Sequence, residues 1–249
     1  MTLLVALTAL WYLSAWRGSA IPAWRAVSFL LGLLSIWIAA ASPVALLDAR
    51  MLTAHMAQHL LLMTFAPPLI WMGEPVRLLP PRLAAAAFRS TPIRRLGRLL
   101  GHPAFCWLAA AAALVAWHIP AVFRLGMESP AWHLTEHASF LAAGLVFWWP
   151  VVQPWPGVAR WPRWSMLLYL FLATLPCDVL SGLLVFSDRV AYPIYLCTPR
   201  HSELSVLEDQ QCAAALMWTC VSVVFVLAGT IQSTQLLSPR NAGQEAVIP

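Results

Sequence analysis

Lysine is absent from this 249-residue chain: all 15 of its basic residues are arginine. That removes the lysine-dependent mechanisms, including the Walker A phosphate loop and Schiff-base chemistry. Charge is scarce altogether, at 10% of residues, where a soluble domain carries about 25%. The five cysteines are odd in number and include no CxxC, so there is no thiol-exchange or soluble copper-carrier motif. Hydrophobic residues make up 61%, which leaves too little polar surface to cover a soluble fold. The net charge of +5 and pI of 9.3 come from arginines dispersed through apolar sequence, not from a basic domain, and this excludes nucleic acid as a partner. The fold class these features imply is all-α, a polytopic integral membrane protein in contact with lipid.

A membrane-crossing helix takes about 20 mostly apolar residues, because each rises ~1.5 Å and the hydrocarbon layer is ~30 Å thick. Charge-poor runs predict seven such helices, over residues 2–16, 26–47, 51–72, 103–123, 132–152, 164–187 and 210–237, in one membrane domain over 1–249. The first is short, and no basic residue precedes it, so it reads as a retained helix and not as a signal peptide. Trp11, Trp16, Trp71, Trp132, Trp148, Trp149, Trp155, Trp161 and Trp164 sit at helix ends, as an interfacial belt requires.

Arginine placement sets the orientation. With the N-terminus outside and the C-terminus inside, eleven arginines fall inside (Arg17, Arg25, the six from Arg77 to Arg98, Arg160, Arg163 and Arg240). Four (Arg50, Arg124, Arg189 and Arg200) fall outside. The inner loop 73–102 is rich in arginine and punctuated by proline, and its stretch 94–100 suits an anionic leaflet. The run 109–113 is a small-residue packing face.

In that orientation six of the seven histidines gather near the outer side: His55, His59, His118, His133, His137 and His201, with only His102 inside. His55/His59 and His133/His137 are both i, i+4 pairs, so each pair shares a helix face. Two pairs at matching depth can enclose a metal ion, with His118 as a further ligand. Met56 and Met63 flank the first pair, and a thioether suits copper(I). Glu136 is a possible ligand, and Glu208, Asp209 or Gln210 could orient an imidazole from behind. Asp178, after Pro176, has a packing or proton-handling role. Cys197 and Cys212 fall on the same outer side and are a candidate disulfide pair.

The stretch His55-Met56-Ala57-Gln58-His59-Leu60-Leu61, with Pro67-Pro68 and Gly73-Glu74-Pro75 after it, resembles the signature of the multi-pass CtaG family of cytochrome c oxidase assembly factors. Gly101-His102-Pro103, Trp117-His118-Ile119-Pro120, His133-Leu134-Thr135-Glu136-His137, Phe147-Trp148-Trp149-Pro150 and Asp209-Gln210 with Met217-Trp218 follow in order. The resemblance runs over about residues 50–235. It implies a bacterial plasma-membrane protein, not an enzyme, with haem-copper oxidase subunits as partners. Copper is the first candidate metal and zinc the second. Two other readings compete. A zinc-dependent intramembrane hydrolase would use Glu136 or Asp178 as a base. An electron carrier would hold haem between single histidines facing each other across helices.

Overall fold

Helix is the only regular element among the described residues, which are 1–79, 97, 101–154, 161–198 and 203–237 of this computed structural model. Nine α-helices are described: α1 (Thr2–Arg17), α2 (Ala23–Ala41), α3 (Leu52–Leu60), α4 (Ala66–Met72), α5 (Pro103–His118), α6 (Pro120–Glu128), α7 (Pro130–Val152), α8 (Arg163–Val185) and α9 (Val206–Leu236). The stretch 94–100 apart from Gly97, together with Trp155, Arg160, Arg200, His201 and Arg240, lies outside the described residues.

The seven-span expectation is corrected. Among the described residues three helices, α2, α8 and α9, are long and apolar enough to cross a membrane, and α5 with α6 makes a fourth if a pair bent by 77° counts as one span. The other runs fall short for separate physical reasons. Helix α1 has 16 residues, about 24 Å of helix against a hydrocarbon core of ~30 Å. Region 51–72 is interrupted, because a π-helical turn at Leu61–Phe65 separates α3 from α4. Pro67 and Pro68 have no N–H to continue the ladder, and a π-turn absorbs such a register change. Helix α7 has the length, 23 residues, but carries His133, Glu136 and His137.

The bend at Pro120 follows the same logic. Proline disfavours helical backbone in the residue before it, and Ile119 is extended, with φ −66° and ψ 123°. Helix α5 therefore ends at His118, and α6 sets off in a new direction.

Helix α7 is central, packing against α4, α5, α6 and the π-turn. Its close approach to the π-turn depends on Gly144, where a Cβ would lie 2.6 Å from the Met63 carbonyl oxygen. One apolar cluster joins α1, α2, the π-turn and α7 around Tyr12, Phe29 and Phe140. A second joins α3, α8 and α9 around Met56, Cys177 and Met217. Near the Gly73-Glu74-Pro75 turn, Tyr12 donates to the Gly73 carbonyl at 2.7 Å, and Glu74 pairs with both Arg25 and Arg77. Outward faces stay apolar: Phe171, Val179 and Leu183 on α8 and Val226 on α9 are exposed, a surface suited to hydrocarbon and unsuited to water. Not every tryptophan is a belt residue. Trp148 is buried in the core, while Trp11, Trp132 and Trp164 are exposed.

Candidate metal centre

Helix α3 starts where it does because another helix caps it. Asp209, in the first turn of α9, accepts from the backbone N–H of Leu52 at 2.7 Å, from the N–H of Thr53 at 3.2 Å and from the Thr53 hydroxyl at 2.6 Å. A carboxylate in that position satisfies orphan amides and suits the positive end of the helix dipole. Its neighbour Gln210 accepts from the Ala191 N–H at 2.7 Å and donates to the Arg189 carbonyl. Asp209 thus positions the helix that carries His55 and His59; it does not orient an imidazole directly.

The i, i+4 spacing brings each pair of rings together, with centroids 4.2 Å apart for His55/His59 on α3 and 4.2 Å for His133/His137 on α7. The two pairs face one another. His55 lies 5.9 Å from His133, and His59 lies 6.0 Å from His137. His55 is fully buried, His59 and His137 are buried, and His133 is partly open.

Glu136 does not face an aqueous boundary. Its side chain is 0% exposed, and its Oε1 lies 3.4 Å from His55 Nε2 and 3.3 Å from His59 Nε2. Neither contact has hydrogen-bond geometry. Both ring nitrogens of His55 and of His59, both Glu136 carboxylate oxygens and His137 Nε2 are buried without a hydrogen-bond partner. Buried polar atoms are normally satisfied, and here several aim at shared space. Room for the carboxylate comes from α6, where a Cβ on Gly126 would lie 2.7 Å from Glu136 Oε2.

The second pair has a carboxylate of its own, Asp48, which no local sequence pattern marks. Asp48 Oδ2 lies 3.1 Å from His133 Nε2. The Asp48 backbone is fixed by the Tyr195 hydroxyl donating to its carbonyl at 2.9 Å, and its Oδ1 accepts from the Ala49 N–H at 2.6 Å. Burial, the largest influence, pushes the Asp48 carboxyl up. The close contact and charge of His133, with the charge of His55 and the Ala49 amide, outweigh it and hold the group below its ordinary value. The ligand atoms therefore fall into two sets, each within 4.8 Å: His55, His59 and Glu136, and Asp48, His133 and His137.

His118 is in neither set. It is buried, with Nδ1 2.7 Å from the Leu114 carbonyl oxygen, a contact that leaves Nε2 to accept. With Met56, His59, Met63, Cys177 and Met217 it lines a cavity of about 70 Å³. His102 is at the opposite end of α5, where its Nδ1 caps the helix by accepting from the Ala104 N–H. Cys197 and Cys212 are both free and exposed.

Imidazole nitrogens with carboxylate oxygens form a donor set for zinc or copper(II), while magnesium and calcium favour oxygen alone. The unpartnered buried donors fit a cation of that class.

Residues 6–238 match the sequence model of a family described as cytochrome c oxidase caa3 assembly factor (Caa3_CtaG). Uncharacterized proteins of Mycobacterium bovis and Mycobacterium tuberculosis are each 25% identical to the chain, over 92% of it and 37% of their own length. An uncharacterized protein of Mycobacterium leprae is 23% identical, over 84% of this chain and 34% of its own. The chain thus spans little more than a third of the length of these curated relatives. No solved structure matches.

Proposed function

Because the chain belongs to the cytochrome c oxidase caa3 assembly factor family, we propose that it binds copper, with zinc as the second candidate, and supplies it to a haem-copper oxidase during assembly. The family is one of assembly factors, not of enzymes. The partners in this reading are the oxidase subunits, the ion and the lipid of a bacterial plasma membrane. The whole chain is one membrane domain, with the histidine cluster toward the outer face.

One observation carries the metal part of the reading: the buried, unpartnered ring nitrogens of His55 and His59 beside the equally unpartnered carboxylate of Glu136. Leaving such donors unmatched costs about 1–3 kcal/mol each, more where charge is involved, and a bound cation removes that cost. His55, His59, His133 and His137 are the metal-holding imidazoles in this reading, with Glu136 and Asp48 supplying negative charge. His118 and the methionines Met56 and Met63 line the adjoining cavity, through which a softer copper(I) ion would find thioether contacts. A haem-copper oxidase contains copper, and that ion has to be supplied as the enzyme is built.

The test is a deletion strain grown at limiting copper. Oxidase activity in membranes should fall while the oxidase polypeptides are still made, and added copper should restore part of it by mass action. His59→Ala should reproduce the loss with the protein's own abundance unchanged. Normal oxidase activity in the deletion strain would defeat the assembly role.

A further inference from the structure

The two histidine pairs do not converge on one carboxylate. The pair on α3 takes Glu136 from α7, and the pair on α7 takes Asp48 from the segment just before α3. Each set has two imidazoles and one carboxylate, with its ligand atoms within 4.8 Å of one another. We propose that the cluster is a two-ion centre, with one divalent first-row metal in the His55/His59/Glu136 set and another in the Asp48/His133/His137 set; this rests on the cluster being a metal site at all.

The grouping of ligand atoms, not net charge, separates two ions from one. A single dication would balance both carboxylates, but the ligand atoms gather into two sets, each within 4.8 Å and each with its own carboxylate, and not into one. The Glu136 side chain is 0% exposed, and its ion contacts are His55 and His59. Once those rings are neutral ligands, its negative charge needs a cation at bonding distance, since an uncompensated buried charge is strongly unfavourable. Asp48 is 10% exposed and sits against His133 in the same way. Two dications with two carboxylates and four neutral imidazoles give each metal its own anionic ligand, and metal–metal separations of about 3.5–4 Å are common in such sites. Adjacency of this kind follows from the facing pairs, whose rings are 5.9 and 6.0 Å apart.

Exposure makes the two sets unequal. His133 is 28% exposed, whereas the side chains of His55, His59 and Glu136 are 1%, 6% and 0% exposed. The Asp48 set therefore exchanges with solution, and the Glu136 set is loaded through it and holds its ion longer.

The experiment uses the full chain in detergent, saturated with zinc chloride, freed of excess by gel filtration and assayed for zinc per folded chain. Two ions per chain are expected, falling to one in Asp48→Asn, in His133→Ala and in Glu136→Gln, and to none in the Asp48→Asn/Glu136→Gln double variant. Loaded with copper(II) instead, the wild type should show the broadened paramagnetic resonance of two close spins, and Asp48→Asn an isolated one. One ion per chain in the wild type, lost completely with either carboxylate, overturns the two-ion centre and leaves metal binding standing. No zinc on folded wild-type protein overturns both.

Discussion

Gly126 on α6 lies directly against Glu136 on α7, and a Cβ at position 126 would come within 2.7 Å of Glu136 Oε2. Only a residue without a side chain lets the carboxylate stay where it meets His55 and His59. Gly126→Ala should therefore lower affinity at the buried donors about 10-fold, as loss of a supporting contact around a metal ligand commonly does. Zinc titration against a chromophoric chelator measures this, and an unchanged affinity would show that the carboxylate is not held by this contact. Circular dichroism should report an intact helix content.

Asp209 is a cap supplied across the fold, with two amides and a hydroxyl of α3 donating to it. Asp209→Asn keeps the shape but loses the charge, and should cost about 1–2 kcal/mol in line with other helix caps. Thr53→Val removes the hydroxyl alone and should cost less. Thermal unfolding in detergent orders the two variants; equal losses would contradict the charge-assisted cap.

The eleven-to-four arginine split counts the loops of the seven-span reading, so orientation takes its own test, independent of the metal. A reporter active only outside the membrane should work when fused within 188–205 and fail when fused after Pro249. The opposite pattern would place the histidine cluster on the inner side.

Acid should act in two stages. Asp48 has its carboxyl below its ordinary value, so its contribution to stability is present above the unfolded value. It is lost only as pH falls through the lower folded value, below about pH 4. Metal leaves earlier, because protons compete with the ion for its ligating imidazoles. Zinc content followed from pH 8 to 4 should fall while circular dichroism stays flat; simultaneous loss would mean that unfolding drives release.

The histidine pairs were readable in the sequence because an i, i+4 spacing is a local fact, and the facing of α3 and α7 then joined them. Glu136 lies inside the His133–His137 interval, so it too could be found locally. Asp48 could not: its partner His133 is far along the chain, and a single acid before a helix carries no mark of a distant imidazole. The excess of predicted spans has a similar origin. An apolar run states what is buried or lipid-facing, not whether the helix is continuous: a π-turn shifts the register before Pro67-Pro68, and Pro120 redirects the backbone, neither interrupting the hydrophobicity. The role of Asp209 was half visible, as an acid in a first helical turn, yet the amides it serves belong to α3 rather than to its own helix.

The exchange of carboxylates between the two pairs has a mechanical consequence. Ions bound in this pattern rivet α3, α7 and the segment that precedes α3 into one stiff block, much as a cross-link would. If those ions are the cargo, each departing ion loosens two elements at once, beginning at the more exposed Asp48 set. Handover would then be gated by whatever pries the Asp48 segment away from α7, and the empty carrier would be the softer of the two forms.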